Sequence, residues 1–254
     1  MVYELRKYRS LYQEKDLHHF QVVLEETDLD IGIIKELYTP DLQKKVELFL
    51  AENRQVLKEY IKVHPAFLTT LKPWNPREEE VFVGEKLPFS VEAMCAATRL
   101  ASVGPMAAVA GLFAEQVGIF LTSFSPDVLI ENGGDIWLKS SRPRKVCIYA
   151  GESPFSQRIG IEIKAEATPL SICTSSGTVG HSLSFGNADA VVILAPSAPL
   201  ADAVATAACN LVQGEEDLAK AVEWAVAIPG VLGAVAILDD KMAVQGAIEL
   251  IPIE

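Results

Sequence analysis

The second half of this chain is a succession of short apolar runs, at 128–130, 146–149, 159–163 and 190–194, separated by glycine-bearing turns. Runs of that length between turn formers read as strands. Two helical stretches follow, at about 200–212 and 215–226, and then strands near 231–238 and 243–250. A chain that alternates in this way is committed to mixed α/β architecture, with helices packed on sheets.

The first half is less regular. Residues 2–9 and 18–26 alternate, with Phe20, Val22 and Leu24 on one side, and predict the two strands of an antiparallel pair. Thr39 followed by Pro40 and Asp41 is a helix start, with Thr as cap and Pro at the first helical position. Val46, Phe49, Leu50, Leu57 and Tyr60 extend the stripe to about Val63. The polar, twice-prolinated stretch 72–80 is a loop. Ser90 then caps an Ala-rich helix that breaks at Gly104-Pro105 and resumes from Met106 to about Gly118. The uncharged stretch 101–114 falls short of the roughly 20 residues a membrane span needs, so a buried helix is expected there.

Half of the 254 residues are apolar, which suits a sizeable core. One domain over 1–254 is expected, a length that also accommodates two intimate lobes, with the ligand cleft drawn mainly from 90–254. The net charge of −12 repels nucleic acid and anionic membranes and still leaves room for an anionic small ligand, such as a phosphorylated one, because a metal ion or a helix N-terminus overrides the global field locally. Cys95, Cys147, Cys173 and Cys209 lie far apart, as reduced buried thiols do, and the charged start has no apolar run behind it. Both features predict a cytoplasmic protein. Nothing in the sequence sets an oligomeric state.

Four segments could carry chemistry. Asn132-Gly133-Gly134-Asp135 reads as a hairpin turn or as a backbone that approaches a ligand closely. The stretch from Cys173 through Thr174, Ser175, Ser176 and Gly177 to His181 offers hydroxyl and amide donors to phosphate, or is an ordinary Ser/Thr/Gly loop. Asp202 and Thr206 stand four apart on a small-residue helix, on one face, where they could share a cation. The alternative is that Asp202 complements a helix dipole. The fourth segment, 104–111 followed by Glu115, reads as a tight helix-packing surface.

In this order the four segments resemble the ApbE flavin-transferase superfamily, whose members show a small-residue helix with an acidic residue four beyond its Gly, a Gly-Gly-Asp turn, a Thr-Ser-Gly loop and a helix with Asp-x-x-x-Thr. The resemblance implies an ApbE-like fold with FAD and Mg²⁺ as cofactors. Asp202 and Thr206 would hold the metal, and Thr174, Ser175, Ser176 and Gly177 would meet the phosphates. Asn132, Gly133, Gly134 and Asp135 would line the ligand, and His181 would be catalytic. Ala110 stands where the superfamily has Lys, Glu115 where it has Asp, and 182–186 replaces the Asp-Pro-x-Thr-Gly segment. FMN transfer is therefore expected to be weak or absent. The run 173–186, Gly104-Pro105-Met106 and Glu26-Thr27-Asp28-Leu29 are similar to a separate uncharacterised family beside ApbE. That likeness carries a weak association with anaerobic sulfur assimilation into homocysteine, which implies an accessory protein or an enzyme of sulfur transfer.

Overall fold

The computed structural model describes residues 16–76, 87–179 and 184–253. Eight strands form one sheet in which every neighbouring pair is antiparallel. In chain order these are β1 (Leu17–Leu24), β2 (Thr27–Ile34), β3 (Val128–Asn132), β4 (Asp135–Lys139), β7 (Leu170–Ser175), β8 (Ala190–Ala195), β9 (Gly233–Leu238) and β10 (Lys241–Gly246), and they lie side by side in that same order. A smaller antiparallel sheet has β6 (Ile159–Ile163) between β5 (Arg144–Cys147) and β11 (Leu250–Pro252).

Strand alternation feeds two cores. On β8, Val191, Ile193 and Ala195 face the helices, while Ala190, Val192 and Leu194 face the small sheet. The result is three layers, with helices on one face of the large sheet and the small sheet on the other. The helices are α1 (Pro40–Val63), α2 (Ala66–Thr69), α3 (Phe89–Ala101), α4 (Val109–Leu121), α5 (Ala198–Leu211) and α6 (Leu218–Val226). Of these, α4 rests on β3 and β4, and α5 on β7 and β8. Alanines on β8, β9 and α5, among them Ala195, Ala234, Ala201 and Ala205, are buried in this layer and let helix and sheet approach closely.

Helix α1 starts and ends where the sequence places it. The Thr39 hydroxyl accepts from the Leu42 amide at 3.1 Å, a cap worth roughly 1 kcal/mol. The predicted strand at 2–9 lies outside the described residues, and β1 pairs with β2, which follows it through a tight turn. Two other expectations are corrected. Ser90 is not the cap of α3: Pro88 holds that position, and Ser90 is buried in the first turn without a capping bond. Thr174 and Ser175 belong to β7 rather than to a loop. The break at Gly104-Pro105 is present, with a 3₁₀ turn over Pro105–Ala108 between α3 and α4. The arms Phe89–Ala101 and Pro105–Leu121 meet at 102°, and no single described helix is long and apolar enough to cross a membrane.

Candidate functional site

The hairpin between β3 and β4 turns on Gly133 and Gly134, at φ 70° and 105°, where side-chain-bearing residues are strained. The Gly134 amide donates to Glu131 Oε1 at 2.7 Å. Asn132 and Asp135 close the turn opposite one another, so both side chains share a face, and Trp137 places that face toward the helices. Asn132 Nδ2 donates to the Ala110 carbonyl at 2.9 Å, and Asp135 Oδ1 accepts from the Thr174 amide at 3.3 Å. The hairpin is thus both an ordinary turn and a platform for two polar side chains.

Against this platform lie the first turns of α4 and α5. Asp202 Oδ2 accepts from the Gly111 amide at 2.9 Å, and the Ala110 amide bonds the same carboxylate. Glu115, one turn further along α4, accepts through Oε2 from the Ala198 amide at 2.6 Å. Each helix therefore receives at its N-terminus a carboxylate from the other. Burial first, and then the negative charge of Asp135, push the Asp202 pKa well above the ordinary carboxylate range; the two amide bonds oppose this. Burial raises Glu115 as well. Thr206 follows Asp202 by one turn, and both are half-buried.

The predicted site residues fall into two groups. Asn132, Gly133, Gly134, Asp135 and Asp202 meet at the α4 N-terminus, with the Thr174 backbone beside them. The Thr174 side chain shares the face of Ile172, which belongs to the core under the small sheet, whereas Cys173 and Ser175 point toward the helices. Ser175 is buried near Cys209, and Ser176 Oγ accepts from the amides of Thr178 and Val179 at 3.1 and 2.9 Å. Gly177 bonds Ala188. That second group leads toward the C-terminal end of α5, where Phe185 N donates to Asn210 Oδ1. Seven residues, or about 10 Å of helix, separate Asp202 from Cys209. His181 lies outside the described residues.

Cys95, Cys147, Cys173 and Cys209 are free thiols, and Cys147 is half-buried rather than buried. Burial pushes Cys95 up to about 11. Burial, with the charges of Asp135 and Asp202, raises Cys173 well above its ordinary value. Among the described residues no three His, Cys, Asp or Glu side chains converge as a metal cluster. The residue that sequence reasoning left without a role is Glu115. Its spacing from Gly111 marks one helix face but says nothing of the helix it reaches.

A family model described as AbpE bacteria matches residues 9–244. A UPF0280 protein of Methanocaldococcus jannaschii is 37% identical over 233 residues, which cover 90% of each chain. A UPF0280 protein of Methanocella arvoryzae is 43% identical over 194 residues, 76% of each. Among solved structures, the apo flavinyl transferase ApbE of Pseudomonas stutzeri superposes with a TM-score of 0.56 at 12% identity, over 91% of this chain and 94% of that one. The flavin transferase ApbE of Vibrio cholerae gives 0.53 at 18%, over 91% and 96%. These two likenesses are likenesses of fold.

Proposed function

The chain belongs to the AbpE bacteria family, and from that premise we propose that the surface where α4, α5 and the β3–β4 hairpin meet binds a phosphorylated flavin nucleotide with Mg²⁺, without efficient transfer of the flavin. The observation that carries this reading is geometric: half-buried Asp202 has its Oδ2 on the Gly111 amide and lies beside the Asp135 carboxylate, so it bears the costs of burial and of like charge. A cation relieves both costs.

The donor chemistry fits a hard divalent ion: the Asp202 carboxylate and the Thr206 hydroxyl supply oxygen. Bound there, the ion would neutralise ligand phosphate charge. The chain's own residues orient the site. The Ala110 and Gly111 amides hold the Asp202 carboxylate, and Asn132 ties the hairpin to the Ala110 carbonyl. Two proteins of similar fold are flavin transferases, which supports the flavin class.

Ala110 favours the binding-without-transfer half of the proposal. It contributes only backbone to the site and no charge for a reacting phosphoryl group. Loss of one positioned electrostatic group typically costs about 10²–10³ in rate. An accessory protein that binds or delivers the ligand is the reading this supports. A role in sulfur assimilation toward homocysteine is less well served, because a sulfur-carrying thiol needs exposure and a lowered pKa. Cys173 and Cys209 beside the site are buried and raised.

FAD fluorescence, followed with and without Mg²⁺, tests the reading. Wild-type protein should quench FAD in a Mg²⁺-dependent way, and Asp202→Asn should weaken that binding by about tenfold or more. Equal quenching by the variant, or none by the wild type, would remove the site. AMP release at the rate of an authentic ApbE transferase run alongside would overturn the non-transferring half.

A further inference from the structure

Helix α5 begins without a cap of its own. Ser197 occupies the N-cap position, yet its side chain makes no capping bond. Pro199 has no amide hydrogen, and the Ala201 amide is taken by the Ser197 carbonyl at 3.0 Å. The first turn therefore has two amides to satisfy, Ala198 and Leu200. Glu115, from a different helix, takes the first at 2.6 Å.

The geometry is closed by sequence spacing. Gly111 and Glu115 are four apart on α4, and Ala198 and Asp202 are four apart on α5, so each pair lies on one helix face. Glu115 meets Ala198 while Gly111 meets Asp202, and the two faces run antiparallel. A side chain at 111 would lock this contact out: its Cβ would stand 2.4 Å from the Ala198 carbonyl oxygen and 2.9 Å from the Asp202 Cβ. The two helices thus cannot slide along one another without breaking a carboxylate–amide bond at one end or the other.

We infer that Glu115 is the positioning residue of the site: its carboxylate fixes the axial place of α5 against α4, and so fixes Asp202 and Thr206 toward the ligand. This rests on the reading that Asp202 and Thr206 hold a divalent ion. In this assignment Glu115 acts through α5, by its bond to the Ala198 amide, rather than on the metal or ligand itself.

The test uses Mn²⁺ as the probe, its binding read from the loss of the free-ion electron paramagnetic resonance signal. Three variants are compared with wild type: Glu115→Ala, Glu115→Gln, which keeps an oxygen acceptor, and Ile161→Ala, which weakens the second core far from the helices. Glu115→Ala should lower Mn²⁺ affinity about tenfold or more, as loss of an orienting partner commonly does. Glu115→Gln should recover most of it, and Ile161→Ala should bind as wild type. Wild-type affinity in Glu115→Ala, or an equal loss in Ile161→Ala, would overturn the inference. If wild-type protein binds no Mn²⁺, the metal reading fails by itself, and amide hydrogen exchange then decides on Glu115. Exchange at Gly111 should be at least about tenfold faster in Glu115→Ala than in Ile161→Ala, and equal protection in the two would sink it.

Discussion

Two carboxylates on opposite sides of the large sheet, Asp127 buried and Asp202 half-buried, are held in opposite ways. Asp127, just before β3, accepts from Arg144 Nη2 at 3.0 Å, Ser140 Oγ at 3.2 Å and the Ser141 amide at 2.9 Å. Arg144, on β5 of the small sheet, is 4% exposed and also meets both oxygens of Asp16. Asp202 has amides where Asp127 has a guanidinium, and a second carboxylate near by. Burial alone would raise Asp127, yet hydrogen bonds from Ser141, Ser140 and Arg144 hold it below the usual range. Asp202 is driven the other way. Asp127 is thus a structural rivet, whereas Asp202 is the acid that the proposed cation would complete.

The largest effect expected from this contrast is at the rivet. Arg144→Met leaves the Asp127 charge buried against serines and should cost roughly 3–5 kcal/mol of stability, read from urea denaturation. Ligand and metal binding per folded molecule should not change. A loss under about 1 kcal/mol would mean that Asp127 is not paid for by Arg144, and the contrast would collapse.

The clasp on the helix side should respond to shape before charge. Gly111→Ala puts a methyl group 2.4 Å from the Ala198 carbonyl oxygen, so α4 and α5 must part. Overpacking of this kind typically costs about 1–3 kcal/mol, and here Mg²⁺-dependent FAD binding should fall with it. Stability lost with binding intact would show that helix spacing does not set the site.

How much of this the sequence discloses depends on how local each feature is. Thr39-Pro40 specifies the start of α1 because a cap acts within four residues. Gly133-Gly134 specifies a hairpin for the same reason. β2 was hidden because Asp28 and Asp30 lie within it, and buried carboxylates on the face opposite Leu29, Ile31 and Ile33 disguise a strand that is buried almost throughout. β7 was hidden because Ser171, Thr174 and Ser175 read as loop chemistry until β4 and β8 bracket them. The convergence of Asn132, Asp135 and Asp202 was foreseen only through family resemblance, since no spacing joins residues 70 apart. The exchange of carboxylates between α4 and α5 had no sequence signal, because the spacings that single out Glu115 and Asp202 each mark a face of one helix and say nothing of the other.

The smallest effect is the most direct test of the contrast, since it asks both carboxylates the same question. A carboxyl whose folded pKa is raised holds its proton better folded than unfolded, so stability falls as pH rises from its unfolded value of about 4 through the folded one. Asp202 and Glu115 are of this kind. A carboxyl whose folded pKa is lowered contributes stability above its unfolded value and loses it as pH falls through the folded one. Asp127 and Asp16 are of that kind, Asp16 chiefly through its bond to Arg144. In metal-free buffer, lowering the pH from 7 to 5 should therefore raise the melting temperature through the helix-side acids. Below pH 4 it should drop as the rivet takes up protons. Asp202→Asn keeps an acceptor for the Gly111 amide and cannot ionise, so it should melt higher than wild type at pH 7, by a few degrees at about 2–4 °C per kcal/mol. The gap should close toward pH 5, with the acid limb unchanged. Differential scanning calorimetry of the two proteins across that range reads both limbs at once. Parallel curves from pH 5 to 7 would mean that Asp202 carries no strain for a bound cation to relieve.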